Sequence, residues 1–182
     1  MDPFPFLTTR LALRRFQEQD LSAFVAYRSD PEVARFQSWS SSNDDEARDF
    51  IREQRGAQFG VPGEWFQIAI AQKGTDALIG DVGVCIKADD QTSAEIGFTL
   101  SRGSQGQGFA SEAVRVVLAI IFEETKVERI EAITDSRNIA SIELLGRIGM
   151  RQEKTEEGWF KGSPCSEHTF VMWKKDWLST KG

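Results

Sequence analysis

Apolar positions recur along the chain with two different periods, and the switches between them divide it into elements. Leu7, Leu11 and Leu13, with Arg10 and Arg14 interleaved, read as a first strand of period two. Leu21, Phe24, Val25 and Arg28 then follow helical spacing over residues 21–29, with Asp20 placed to cap them. Pro31 restarts the chain in a short turn. A second helical pattern covers residues 42–59: Asn43 can serve as N-cap with Glu46 three residues on, Asp44 and Asp45 suit the positive end of the helix dipole, and Gly60 and Pro62 end it. Period two returns over residues 65–71, 77–86 and 94–100, three strands that predict an antiparallel meander. A glycine-rich loop over residues 102–107 leads into an apolar helix over 109–124, whose one charge near the centre is Arg115, so this helix must lie against the sheet. A strand over 129–134, a helix over 138–148 closed by Gly149, and strands over 150–154 and 168–174 complete the order βααβββαβαββ. That order, with seven strands, predicts an α+β or mixed α/β domain.

Composition narrows the class of protein. The chain has 182 residues, 40% of them apolar and 27% charged, which suits one globular core and excludes disordered, collagenous and disulfide-scaffold classes. No internal repeat or linker interrupts it, so residues 1–182 are expected to form one domain. Lys and Arg number 22 against 28 Asp and Glu, a net charge of −6 that repels phosphate backbones and argues against a broad nucleic-acid face. Cys85 and Cys165 lie at no metal-ligand spacing and the single histidine, His168, does not complete a zinc site with them, so no metal is expected and reduced, intracellular thiols are the simpler reading. Residues 1–13 lack a signal-peptide run and the longest apolar run, 116–122, is too short to span a bilayer. The expectation is a cytoplasmic protein without a membrane partner, monomeric or homodimeric.

Candidate chemistry concentrates in Gln105-Gly106-Gln107-Gly108-Phe109-Ala110, between a strand and the long helix. Free N–H groups at a helix start favour an anion, and glycines at 106 and 108 let the backbone approach phosphate oxygens. A tight turn needing positive φ accounts for the same glycines. A P-loop is excluded, because Gly103 leads to Gly108-Phe109-Ala110 without the required lysine. A dinucleotide fingerprint would take Gly106, Gly108 and Ser111, but its third position is not glycine or alanine and the preceding strand opens no N-terminal βαβ unit.

The element order and this loop together resemble the GNAT superfamily of acetyl-CoA-dependent N-acetyltransferases, in particular the branch of ribosomal-protein N-terminal acetyltransferases. Residues 105–110 match that family's Gln/Arg-x-x-Gly-x-Gly/Ala loop, which holds the CoA pyrophosphate. Thr8-Thr9-Arg10-Leu11-Ala12-Leu13-Arg14 resembles its opening strand, Ala94-Glu95-Ile96-Gly97-Phe98 its fourth strand, and Asn138-Ile139-Ala140-Ser141 with Gly149-Met150 its CoA-side helix. The likeness covers residues 7 to 175 and is weakest over 38–62, the part that shapes the acceptor pocket. It implies a mostly antiparallel central sheet flanked by helices, with the fourth and fifth strands splayed apart and often a bulge in the fourth. It further implies that Gln105, Gly106, Gln107, Gly108, Phe109, Ala110 and Ser111 bind the pyrophosphate. The backbone of Phe98, Thr99 and Leu100 would pair with pantetheine, Asn138 would contact the same arm, and the Ser141 hydroxyl would approach the CoA sulfur.

Amine acetylation needs a neutral amine, and a carboxylate acting directly or through water can take its proton. Glu95 is the candidate base, with Asp81, Asp135 and His168 in reserve, although strand alternation sends Glu95 and Gly97 to the face opposite Ile96 and Phe98. Ser141 is the candidate acid for the departing thiolate. Each has a plainer reading: Glu95 as a solvated strand charge, Asn138 as a helix N-cap, and Ser141 as a first-turn residue. His168 reads as a packed strand residue beside Phe170 and Met172, and Cys85 as core. Trp39, Trp65 and Trp159 are candidates for an acceptor pocket, but mostly for packing, and Asp44, Asp45 and Glu46 are accounted for by their helix start. Two functions fit: an N-acetyltransferase acting on a primary amine (a protein N-terminus or a small molecule) by direct attack, and a non-catalytic acyl-CoA-binding or sensing module.

Overall fold

The computed structural model describes residues 3–39 and 43–179, so Ser42, the predicted start of the second helix, lies outside the described residues. The elements are β1 (Phe6–Leu7), β2 (Leu11–Arg14), α1 (Leu21–Arg28), α2 (Pro31–Ala34), α3 (Asp44–Gly56), β3 (Trp65–Gln72), β4 (Leu78–Ile86), β5 (Ser93–Leu100), α4 (Phe109–Glu124), β6 (Arg129–Asp135), α5 (Ile139–Arg147), β7 (Arg151–Phe160), β8 (Ser163–Trp173) and α6 (Lys174–Ser179). One sheet of eight strands runs in the order β1-β2-β3-β4-β5-β6-β8-β7. The mixed α/β class, the β3-β4-β5 meander and the mostly antiparallel sheet are as expected. β5 and β6 form the parallel pair, joined by a crossover through α4.

The differences from expectation have local causes. Residues 7–13 are not one strand: the Thr8 side chain turns the chain back by bonding to the Leu11 backbone, which leaves a two-residue β1. The hairpin β7–β8 is longer than its apolar pattern, because Lys154 to Glu157 alternate no hydrophobic face yet still pair with β8 through the backbone, after a register shift that skips Glu153. The chain then re-enters a helix at Lys174, and Trp177 of α6 is buried beside Phe122. Asp20 does not cap α1 with its side chain. It is buried, accepts from Gln17 N at 2.7 Å, and grips the buried Arg14 guanidinium through both oxygens at 2.7 and 2.9 Å. The expected bulge in the fourth family strand is absent as well: β5 pairs with β4 without a register shift from Gly80 to Ile86.

Two apolar layers follow from the strand alternation. On one face, Leu11, Leu13, Ile68, Ile70, Val82, Val84, Ile96 and Ile130 meet Val114, Val117, Leu118 and Ile121 of α4 and Leu144 and Leu145 of α5. Full burial of each such aliphatic side chain contributes roughly 1.5–3 kcal/mol, so α4 is held by its apolar face rather than by helix propensity. On the other face, Phe16, Phe24, Tyr27, Val33, Ala47 and Ile51 pack under α1 and α3 against Ala69 and Leu78. The β6–β8 end of this second face remains open, and Ile133 is 44% exposed there.

Candidate functional site

The site begins where β5 and β6 separate. Their pairing covers only Ser93↔Arg129, Ala94↔Ile130 and Glu95↔Glu131, after which β5 continues alone on that side to Leu100. Lys87 N donates to Ser93 O and Ser101 N donates to Ile79 O, so the backbone groups of Glu95, Gly97 and Thr99 face β4. Those of Ile96, Phe98 and Leu100 therefore face the gap. Of the three expected pantetheine-pairing residues, Phe98 and Leu100 turn their backbone groups to the gap and Thr99 turns them to β4, because successive strand residues point their backbone groups to opposite neighbours. The carbonyls of both are already engaged: Gln37 Nε2 donates to Phe98 O at 3.3 Å and Gln105 Nε2 to Leu100 O at 3.0 Å.

β5 runs into the glycine loop. Gly106 and Gly108 have φ of 73° and 79°, left-handed values that a β-carbon would strain, and Gly108 is the residue preceding α4. This geometry turns the N–H groups opening α4 toward solvent at the positive end of a 16-residue helix. Gln105 locks the loop to the strand end through Leu100. Gln107 turns away instead, its Nε2 donating to Gly103 O. A brace that sequence reasoning missed lies below: Arg10 donates through Nη1 to Gln107 O at 2.8 Å and through Nε to Glu112 Oε2 at 2.7 Å, with its guanidinium 4.5 Å from the Phe109 ring centre. Burial pushes the Glu112 carboxyl up, but donation from Thr8 and Arg10 outweighs it and holds the group below the usual carboxylate range. Arg10 reads as a strand charge in the sequence, and nothing local announces a partner 102 residues away.

α5 forms the opposite wall. Asn138 caps it, accepting from Ser141 N at 3.2 Å, which engages Oδ1 and leaves the carboxamide Nδ2 as a donor. A groove of about 420 Å³ joins the parts. It is lined by Phe98, Thr99 and Leu100, by Gln105, Gly106, Gly108, Phe109, Ala110 and Ser111, and by Asn138 and Ser141. Gln107 is the one loop residue outside it. A third wall, unforeseen from sequence, comes from residues 32–37, with Val33, Phe36 and Gln37 contributing.

Glu95 lies outside the groove, on the open face, in register with Cys85 on one side and Glu131 on the other. Burial, and then the charges of Glu131 and Glu167 against the opposing Lys87, raise its carboxyl above the ordinary value. Glu131 is itself pushed up by burial but held low by Lys87 and Arg129, the latter at 2.5 Å, so it stays charged beside Glu95. A carboxylate raised first by burial and then by a charged neighbour suits proton abstraction.

The reserve bases are otherwise engaged. Asp81 is buried under α1, where Tyr27 Oη donates to it at 2.5 Å and Arg28 Nη2 at 3.5 Å. Asp135 is held low chiefly by donation from Arg137, whose guanidinium reaches both of its oxygens. His168 Nδ1 meets Thr155 Oγ1 at 2.9 Å and Gln152 Nε2 at 3.2 Å, in keeping with a structural strand histidine. Cys85 is not core: it is half-buried on the Glu95 face. The packing role expected for the tryptophans fails for Trp65 and Trp159, 42% and 75% exposed, because they sit at a strand start and beside a hairpin tip. Asn43 and Glu46 form the expected reciprocal cap of α3. Among the described residues, no helix is long and apolar enough to cross a membrane and no group of three or more His, Cys, Asp or Glu side chains could hold a metal.

A strand gap opening beside a glycine-led helix start is the arrangement that the sequence resemblance implied. The comparisons agree: residues 10–151 match the family model described as acetyltransferase (GNAT) domain. The chain is 35% identical over 173 residues to the uncharacterized N-acetyltransferase p20 of Bacillus licheniformis, covering 93% of this chain and 96% of that protein. It is similar in fold to a GNAT-family acetyltransferase from Bacillus anthracis, with a TM-score of 0.83 at 24% identity, covering 93% of this chain and 98% of that one. It is similar also to RimL, the ribosomal L7/L12 alpha-N-protein acetyltransferase in complex with coenzyme A, with a TM-score of 0.79 at 17% identity over 94% and 98%. The chain belongs to the GNAT acetyltransferase family. It is an N-acyltransferase enzyme, of a family in which acetyl-CoA-dependent transfer is general.

Proposed function

We propose that this protein transfers the acetyl group of acetyl-CoA to a primary amine by direct attack, both substrates being bound together. One observation carries the reading: the edge of β5 that β6 leaves unpaired leads, through the turn at residues 101–105, into a left-handed glycine loop at the N-terminus of α4, in one groove. The residues present fit the cosubstrate. The N–H groups of residues 106–111 would take the pyrophosphate, the gap-facing N–H groups of Phe98 and Leu100 the pantetheine carbonyls, and Asn138 Nδ2 the same arm. Acetyl-CoA supplies the acetyl group as an activated thioester. A gap-facing N–H of β5 polarises the carbonyl under attack, Glu95 takes a proton from the acceptor ammonium directly or through a water in the gap, and the Ser141 hydroxyl donates toward the leaving sulfur. The whole of residues 1–182 would serve as one such domain, in the cytoplasm and with no metal.

The acceptor is a protein N-terminus or a small-molecule amine. An α-amine, which ordinarily titrates near pH 8, needs less help from Glu95 than a lysine-type amine titrating near 10.4. The deciding experiment incubates the purified protein with acetyl-CoA and a panel of amines, including alanine-terminated peptides and spermidine, and measures free thiol. Amine-dependent release is expected from wild type. Gly108→Asp, which places a carboxylate and a β-carbon in the anion site, should lower acetyl-CoA affinity at least tenfold, about 1.4 kcal/mol. A folded Gly108→Asp protein with unchanged affinity overturns the pyrophosphate assignment.

A further inference from the structure

The groove wall formed by residues 32–37 is secured from a distant part of the chain. After the single turn of α2, residues 35–39 form no helix or strand, yet they place Gln37 against Phe98 O and Trp39 4.2 Å over the Arg28 guanidinium. Lys161 Nζ donates to Ala34 O at 2.8 Å and to Trp39 O at 2.9 Å, bridging both ends of this segment from the tip of the β7–β8 hairpin.

Its position in the hairpin is informative. Phe160 pairs with Ser163, so Lys161 and Gly162 are the two turn residues, with φ of 50° and 77°. Two positive φ values define the tight turn that favours Asn-Gly or Gly-Gly, and a lysine there carries steric strain that glycine would avoid. The turn does not call for lysine, whereas the two carbonyls do, since an ammonium offers three donors on a stem long enough to reach them.

The wall so held stands at the acyl end of the groove. β5 runs from Ser93 to Leu100 and onward to the glycine loop, so Phe98 lies two residues, about 6.6 Å, farther from the pyrophosphate site than Leu100. Gln37 contacts Phe98. We infer that Lys161 is a positioning residue that latches residues 34–39 against β5 and thereby shapes the place where the amine meets the acetyl group. This rests on the transferase reading above for its kinetic consequence, though not for the latch itself.

Lys161→Gly tests it, because glycine relieves the turn while removing the latch. Hydrogen exchange followed by mass spectrometry should show amides of residues 34–39 exchanging at least tenfold faster, with those of 105–111 unchanged and the Tm not lowered. With an alanine-terminated tripeptide as probe amine, KM for the peptide should rise about tenfold while kcat changes less than threefold and coenzyme A affinity by calorimetry stays within twofold. Lys161→Arg, which keeps a cationic donor, should restore most of the peptide KM. Unchanged exchange over 34–39 overturns the latch. Faster exchange with an unchanged peptide KM overturns its role in positioning. If wild type acetylates neither the tripeptide nor spermidine, the transferase reading fails separately and the exchange arm still decides the latch.

Discussion

Glu95 shows how one residue can be read for two opposed quantities. Its carboxyl is raised by burial and by Glu131 and Glu167, so the folded protein holds a charge there at neutral pH that the unfolded chain would hold more comfortably. A raised folded-state pKa contributes stability that is present below the unfolded value of about 4.3 and is lost as pH rises through the folded value. Glu95→Gln is therefore expected to raise Tm at pH 7 and to match wild type below about pH 4. Its activity should move the other way, with kcat/KM for the amine falling roughly 10²-fold at neutral pH and recovering as pH nears the amine's own pKa. Thermal melts at the two pH values and a pH–rate profile check both. A variant that is neither stabilised at pH 7 nor impaired would leave Glu95 a solvated strand charge. Gain of stability with loss of activity is the usual mark of a group kept for chemistry at the expense of the fold.

At the scale of elements, the loop before α4 is shaped by its glycines and then held from outside. Arg10 reaches from the start of β2 to both Gln107 O and Glu112, tying the loop's backbone to the first turn of the helix it precedes. Arg10 is partly exposed, so the pair itself contributes at most about 1 kcal/mol to stability. Its larger effect is order in the loop. Arg10→Ala should lower Tm only slightly while weakening acetyl-CoA binding about three- to tenfold, which calorimetry would detect. An unchanged affinity would mean that the left-handed glycines organise the N–H groups unaided. α5 works with fewer parts, since Asn138 both begins the helix and lines the groove.

At the scale of the molecule, the groove joins β5, α4, α5 and the 32–37 wall, four segments from four parts of the chain. A ligand spanning them should hold the fold together. With coenzyme A at about 100 times its Kd, linkage adds roughly 2.7 kcal/mol, which for a chain of this size raises Tm by about 5–10 °C. Differential scanning fluorimetry should show that rise in wild type and no more than about half of it at the same concentration in Gly108→Asp, whose at least tenfold weaker binding leaves at most about 1.4 kcal/mol. The protein's net charge of −6 makes so anionic a ligand an improbable adventitious binder, so a rise of this size speaks for a built site.

What the sequence determined by itself was whatever local chemistry enforces. Period and length marked β3, β4, β5, α4 and β6, Asn43 with Glu46 marked a helix start, and two glycines before an apolar helix marked a left-handed loop, because each signal acts within a few residues. The tertiary structure alone decided what depends on contacts between distant segments. It separated β5 from β6 after Glu95 and so turned Phe98 and Leu100, but not Thr99, toward the gap. It drew Asp20 off its cap to neutralise Arg14, since a buried guanidinium without a carboxylate is far costlier than an uncapped helix. It set Arg10 beneath the glycine loop and Lys161 against Ala34 and Trp39, pairings across 97 to 127 residues that no periodicity encodes. Local patterns specify elements because backbone geometry is local; the site is made by charges and backbone groups that find partners only once the sheet has brought their strands together.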